Sequence, residues 1–93
     1  MLQIELVPDI SHCIETVAKR EYEGTLRQLL AGEEMNKGLE EKAEILRLFL
    51  QTADFKKLRA ESEKWLTEGK TVKFVVYAEC GAPKYVMQVL SNS

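Results

Sequence analysis

The sequence predicts a small α+β domain with the element order β-α-α-α-β-β. Near the C-terminus, two runs rich in β-branched and aromatic residues flank a turn that contains Gly and Pro, which is typical of a β-hairpin. Upstream, apolar residues recur at helical spacing in three segments. We therefore expect one face of a mainly antiparallel three-stranded sheet to be covered by helices. The predicted strands are residues 2–7, 71–79 and 84–90, and the predicted helices are residues 10–31, 39–53 and 55–68.

The bulk composition indicates one soluble globular domain spanning residues 1–93. A chain of 93 residues supports a single core, and 45% hydrophobic with 30% charged residues is an ordinary folded composition. The net charge of −2 gives no strong attraction to nucleic acid or to anionic membranes. The first residues show no basic region ahead of an apolar run, and no window approaches about 20 apolar residues. We therefore expect no secretory leader and a cytoplasmic protein that does not bind a membrane.

In the N-terminal segment, Leu2, Ile4 and Leu6 alternate with Gln3, Glu5 and Val7, and Pro8 ends the segment. We expect it to form the third strand, because an isolated hairpin is only marginally stable in water. The first helix follows, with Asp9 or Ser11 as its cap. Its apolar stripe shifts around the helix at Gly24, so we expect it to kink or break there. Residues 31–38 are predicted to connect it to the second helix.

The second helix has an apolar arc about half its circumference wide, which requires two packing partners. Asp54 is the predicted cap of the third helix, which Gly69 separates from the hairpin.

The hairpin turn is predicted at Gly81 and Ala82 or across the longer loop 80–83, and both choices give the same register. In that register Glu79 faces Lys84 and Val76 faces Met87. The other sheet face keeps an apolar centre, with Tyr77 facing Val86. The competing arrangement places the first helix over this second face, giving a three-layer monomer without an exposed patch.

The leading hypothesis is a non-enzymatic interaction module, because an exposed apolar patch is a usual mark of a binding surface. The expected partner is a second copy, giving a homodimer or larger homo-oligomer, or another protein. The candidate interface residues are Lys73, Val75, Tyr77, Val86, Gln88 and Leu90.

A nucleic-acid-binding module is the second hypothesis, based on basic side chains of the third helix and the hairpin. Acidic residues interleaved at i,i+4 neutralise much of this charge, and an open sheet face with one aromatic residue is poor for stacking bases. The residues that would contact phosphates are Lys56, Lys57, Lys64, Lys70, Lys73 and Lys84.

The third hypothesis is a small-molecule-binding domain or enzyme with a pocket between the second helix and the sheet. Its polar anchors would be His12, Cys80 and Tyr85. His12 and Glu15 could form at most half of a metal site, and Cys13 is in phase with the apolar stripe and is expected to be buried. The sequence contains no phosphate-binding loop or nucleophile elbow, so we predict no catalytic residue, no metal and no cofactor.

Overall fold

A computed structural model describes residues 2–32 and 37–90. The element order is β-α-α-α-β-β in an α+β arrangement, as the sequence predicts. Part of the predicted connector between the first two helices, residues 33–36, lies outside the described residues. The elements are β1 (Ile4–Leu6), α1 (Ile14–Ala31), α2 (Lys37–Thr52), α3 (Phe55–Leu66), β2 (Thr71–Glu79) and β3 (Ala82–Leu90).

The three strands form one antiparallel sheet in which β2 is central and β1 and β3 are the edges. β1 is shorter than the predicted strand, whereas β3 begins two residues earlier than predicted. The two edges therefore differ in length: three residues in β1 and nine in β3.

The predicted hairpin register is wrong by two residues. Tyr77 faces Lys84, and Glu79 faces Ala82, because the turn is the two-residue loop Cys80-Gly81. Both turn residues have positive φ, 53° and 78°, as in a type I′ turn, whose twist matches that of the strands. A shift of two residues keeps every side chain on its predicted face, since the side-chain period of a strand is two.

The first helix begins at Ile14 with Cys13 as its N-cap, so neither predicted cap is correct. The Asp9 carboxylate instead accepts a hydrogen bond from the His12 backbone N–H at 2.7 Å, in a turn that precedes the helix. Ile10 therefore lies outside the helix, with its side chain 77% exposed.

The predicted break at Gly24 is also absent, because α1 continues to Ala31. Both halves of α1 pack against the rest of the domain. Ile14 and Ala18 in the first half are buried in the core, and Thr25 in the second half is also buried. The Glu21 carboxylate also pairs with Lys42 on α2. Packing against α2 thus outweighs the roughly 1 kcal/mol that a helical glycine costs relative to alanine.

The third helix begins at the predicted cap. The Asp54 carboxylate accepts a hydrogen bond from the Lys57 backbone N–H at 3.2 Å. The helix ends at Leu66, two residues before the predicted end.

All three helices contribute to one core on one face of the sheet. This inner face presents Val72, Phe74 and Val76 of β2, which have no exposed surface. Because α1 packs in this layer, the competing three-layer arrangement is wrong. The core residues are Ile4, Leu6, Ile14, Ala18, Ile45, Leu46, Phe49, Leu58, Val72, Phe74 and Val76.

Candidate interaction surface

The outer face of the sheet is the side away from the core. The strand register places alternate side chains of all three strands on this face. None of them belongs to the core cluster that the helices form with the inner face. We define the outer face by Glu5, Lys73, Val75, Tyr77, Lys84, Val86, Gln88 and Leu90.

All six predicted interface residues lie on the outer face, but their pairing differs from the prediction. Val75 faces Val86, and Lys73 faces Gln88. Tyr77 faces Lys84 rather than Val86. The two valines therefore form a directly opposed apolar pair in the middle of the hairpin, where cross-strand contacts are close.

Exposure within this apolar pair is uneven. Val75 is only 9% exposed, although it is not part of the core cluster. It lies on the central strand between Glu5 and Val86, and these cross-strand neighbours, together with Lys73 and Tyr77 along its own strand, surround it. On the edge strand, Val86 is 46% and Leu90 47% exposed. The accessible apolar surface is thus concentrated on β3.

Charged groups border this apolar surface. Lys73 Nζ lies 3.4 Å from Glu5 Oε1, linking β2 to β1 on one side of Val75. Lys84 is exposed near the turn. The charged groups of the outer face therefore lie toward β1 and toward the turn, and on β3 the uncharged Gln88 lies between Val86 and Leu90.

The basic residues of the nucleic-acid hypothesis do not form one surface. Lys73 and Lys84 lie on the outer face, whereas α3, which carries Lys56, Lys57 and Lys64, belongs to the helical layer on the opposite side. A continuous phosphate-binding track would have to pass from one side of the sheet to the other.

Several α3 charges also have local partners. Arg59 Nε pairs with Glu63 Oε1 at 3.0 Å, as the i,i+4 spacing predicts. Just beyond α3, Glu68 pairs with Lys70 at 3.6 Å. The Lys64 and Lys70 ammonium groups lie 5.2 and 4.7 Å from the centre of the Trp65 ring, within cation–π range.

A pocket of about 390 Å³ lies between the start of α1 and α3, not between α2 and the sheet where the small-molecule hypothesis places it. The predicted anchors His12, Cys80 and Tyr85 do not line this pocket. The sequence did not predict that these residues line one pocket, because the two helices meet only in the tertiary fold. The lining residues are Cys13, Glu15, Phe55, Lys56, Arg59, Ala60 and Glu63.

Cys13 lines this pocket and is half-buried rather than fully buried as expected. Its Sγ lies 3.3 Å from the Thr16 hydroxyl, and this hydrogen bond is the main reason that the pKa of the thiol falls below its ordinary value. Arg59 lowers this pKa further by its charge, but its guanidinium is already paired with Glu63. Two acidic and two basic side chains line the pocket, so its formal charges sum to zero.

His12 lies in the turn before α1, where its ring Nδ1 is 3.2 Å from the Asp9 carboxylate. Within residues 2–32 and 37–90, no three His, Cys, Asp or Glu side chains converge as a metal site would require. In the same part of the chain, no helix combines the length and the hydropathy needed to cross a bilayer.

Comparison with known proteins finds a family to which this chain belongs and one related protein. A family model matches residues 1–88. An uncharacterized protein of Archaeoglobus fulgidus is 50% identical over 50 residues, which cover 52% of this chain and 59% of the relative. The chain thus matches about three fifths of that relative's length. No solved structure matches the chain.

Proposed function

This chain belongs to the family whose model matches residues 1–88, and we propose that it is a non-enzymatic interaction module. It binds a protein partner, either a second copy or another protein, through the outer face of its sheet. The observation that supports this proposal is the half-exposed apolar surface of Val86 and Leu90 on a face that the core does not use.

The physical argument is the free energy available from covering these side chains. Fully burying a Val or Leu side chain stabilises a protein by about 1.5–3 kcal/mol, so covering the exposed half of Val86 and of Leu90 contributes about 1 kcal/mol each. A micromolar complex requires about 8 kcal/mol. The two side chains therefore need Tyr77 and further apolar area from the partner to form a stable interface.

The charges around the apolar surface would set the orientation of a partner. Glu5 and Lys73 lie toward β1, and Lys84 lies toward the turn. Exposed charges at the border of an interface contribute little affinity but disfavour partners that place like charges against them. The outer face thus combines an apolar centre with a polar border, which is the usual composition of a protein interface.

The test is sedimentation equilibrium between about 1 μM and 1 mM, a range that covers the Kd values of weak and moderate complexes. Tyr77→Glu places a carboxylate opposite Lys84, which supports the hairpin but costs free energy if the face is buried. We expect this variant to have a lower average mass than the unmodified protein at high concentration. Gln28→Glu, an equal charge change at an exposed site on α1, is the control.

Self-association through the outer face is contradicted if the unmodified protein and the Tyr77→Glu variant have the same average mass at every concentration. It is also contradicted if Gln28→Glu lowers the mass as much as Tyr77→Glu, since that result would indicate an effect of net charge rather than of the outer face.

A further inference from the structure

One edge of β3 pairs with no other strand among the described residues. In a two-residue hairpin, the residues next to the turn, Glu79 and Ala82, exchange both backbone hydrogen bonds, and this pattern then repeats at every second pair. The intervening residues of β3 direct their N–H and C=O groups away from β2. Among the described residues, β2 is the only strand paired with β3. The outward-facing residues are Pro83, Tyr85, Met87 and Val89.

The two sheet edges differ in how well they are protected from other strands. β1 has three residues, an exposed glutamate at its centre and Pro8 two residues beyond its end. β3 has nine residues, and its protective features are both near the turn: Pro83, which lacks an outward N–H, and Lys84. Natural sheets use short edges, prolines and lysines in this way to prevent pairing with other chains. Residues 85–90 contain no such residue.

We propose that the β3 edge pairs antiparallel with β3 of a second copy, forming a six-stranded sheet across two subunits. This inference deepens the proposed function and rests on it, because the pairing joins two outer faces into one docking surface. The twofold axis lies at Met87, so that Tyr85 of one copy exchanges hydrogen bonds with Val89 of the other. This register leaves Pro83 outside residues 84–90, the stretch that pairs.

Charge and side-chain placement favour a second copy in this register. Lys84 is the only charged residue of β3, and in this register the two copies of Lys84 are six residues apart along the strands, about 20 Å. That separation exceeds the Debye length of about 8 Å at physiological salt, so their repulsion is weak.

The same register brings the apolar surfaces of the two copies together. On the outer face, Val86 of one copy faces Gln88 of the other, and Leu90 faces the partner's Lys84 stem. The half-exposed Val86 and Leu90 side chains of both copies then lie on adjacent strands. The joined face has twice the apolar area of one subunit, which is the additional area that the proposed function requires.

The Tyr77→Glu variant isolates edge pairing from burial of the outer face, because Tyr77 is on β2, one strand away from the edge. We expect this variant to remain a dimer in sedimentation equilibrium, whereas the unmodified protein forms larger assemblies at high concentration because outer faces of different dimers also pack together. Adding Met87→Pro removes the two central intersubunit hydrogen bonds without removing one to β2, and we expect association to weaken at least about 30-fold. Adding Met87→Leu instead keeps the backbone groups and is expected to leave the dimer intact.

Amide hydrogen exchange of the unmodified protein tests the same pairing if the proline variant does not fold. The amides of Val86 and Gln88 face β2 and are protected in either state, which makes them an internal control. We expect the amides of Tyr85, Met87 and Val89 to be protected as well, increasingly so as concentration rises. Rapid exchange of these three amides at high concentration would overturn the inference.

The possible failures are distinguishable. In one outcome, the unmodified protein associates but the Tyr77→Glu variant is a monomer at every concentration. This outcome overturns edge pairing and leaves the proposed function standing. Dimers of equal mass for both proteins, with Tyr85, Met87 and Val89 protected, support edge pairing and contradict burial of the outer face.

Discussion

The two faces of the sheet carry similar side chains but differ in what covers them. Val76 on the inner face has no exposed surface, whereas Val86 on the outer face is 46% exposed. Both are valines within long strands of the same hairpin. The two valines differ in two ways: Val76 is on the central strand beneath the helices, and Val86 is on an edge strand on the face away from them. Residue type therefore sets how well a side chain suits a sheet, whereas strand position and the helical layer together set how deeply it is buried.

Val75 refines this comparison. It is nearly as buried as the inner-face residues, yet its cover comes from neighbouring side chains on the sheet rather than from a helix. Burial on a central strand therefore does not identify the core face. Exposure on the edge strand does not distinguish the faces either, because Tyr85 on the inner face is 41% exposed and Val86 on the outer face is 46% exposed. Contact with the helices does distinguish them, since the Tyr85 ring packs against Phe49 of α2.

The largest expected difference between the faces is the effect of truncating an aromatic side chain on β2. Phe74→Ala leaves a cavity in the core and should lower the free energy of unfolding by about 3–5 kcal/mol. Tyr77→Ala removes a half-buried ring from the outer face and should cost about 1 kcal/mol or less at concentrations where the protein is a monomer. Urea denaturation of both variants measures the difference. Equal losses would show that the outer face is a second core.

A smaller effect is expected at the turn that aligns the two long strands. Cys80 has a φ of 53°, which is unfavourable for most residues but well tolerated by asparagine. Cys80→Asn should raise the free energy of unfolding by about 1 kcal/mol without changing the strand pairing. Thermal denaturation measures the stability, and backbone contacts between Tyr77 and Lys84 in an NMR spectrum report the register. Loss of these contacts would show that the turn does not fix the register.

The smallest effect is expected at the charged border of the outer face. Glu5→Gln removes the ion pair with Lys73, but Glu5 is largely exposed and such pairs contribute little. The free energy of unfolding should change by less than about 0.5 kcal/mol, and high salt should reduce the difference further. A loss above 1 kcal/mol in urea denaturation at low salt would mean that this pair takes part in folding rather than only bordering the outer face.

The strands and helices were largely predictable because their signals are periodic and local. Alternation placed Phe74 and Val76 on one face and Val75 and Tyr77 on the other, and the structure agrees. The Asp54 cap was predictable as well, since it depends on one side chain and the helix that follows it.

The sequence predictions failed at three places: the start of α1, the glycine within α1 and the pocket. The Asp9 carboxylate binds the His12 amide in a separate turn, so Cys13 rather than Asp9 precedes the helix. At Gly24, contacts between α1 and α2 keep the helix continuous despite the weak propensity of glycine. The pocket at Cys13 and Arg59 could not be predicted because residues 46 positions apart in sequence meet only when α1 packs against α3.

The sequence by itself determined the elements and the two side-chain sets of the sheet, because alternation and helical spacing depend on neighbouring residues alone. It did not determine the hairpin register, since a shift of two residues leaves both sets unchanged and the strand twist selects the Cys80-Gly81 turn. Only the tertiary structure decided that all three helices lie on one face. That placement leaves Val86 and Leu90 on the face that carries none of these helices, and the sequence could not decide it because helix packing depends on contacts between residues far apart in the chain.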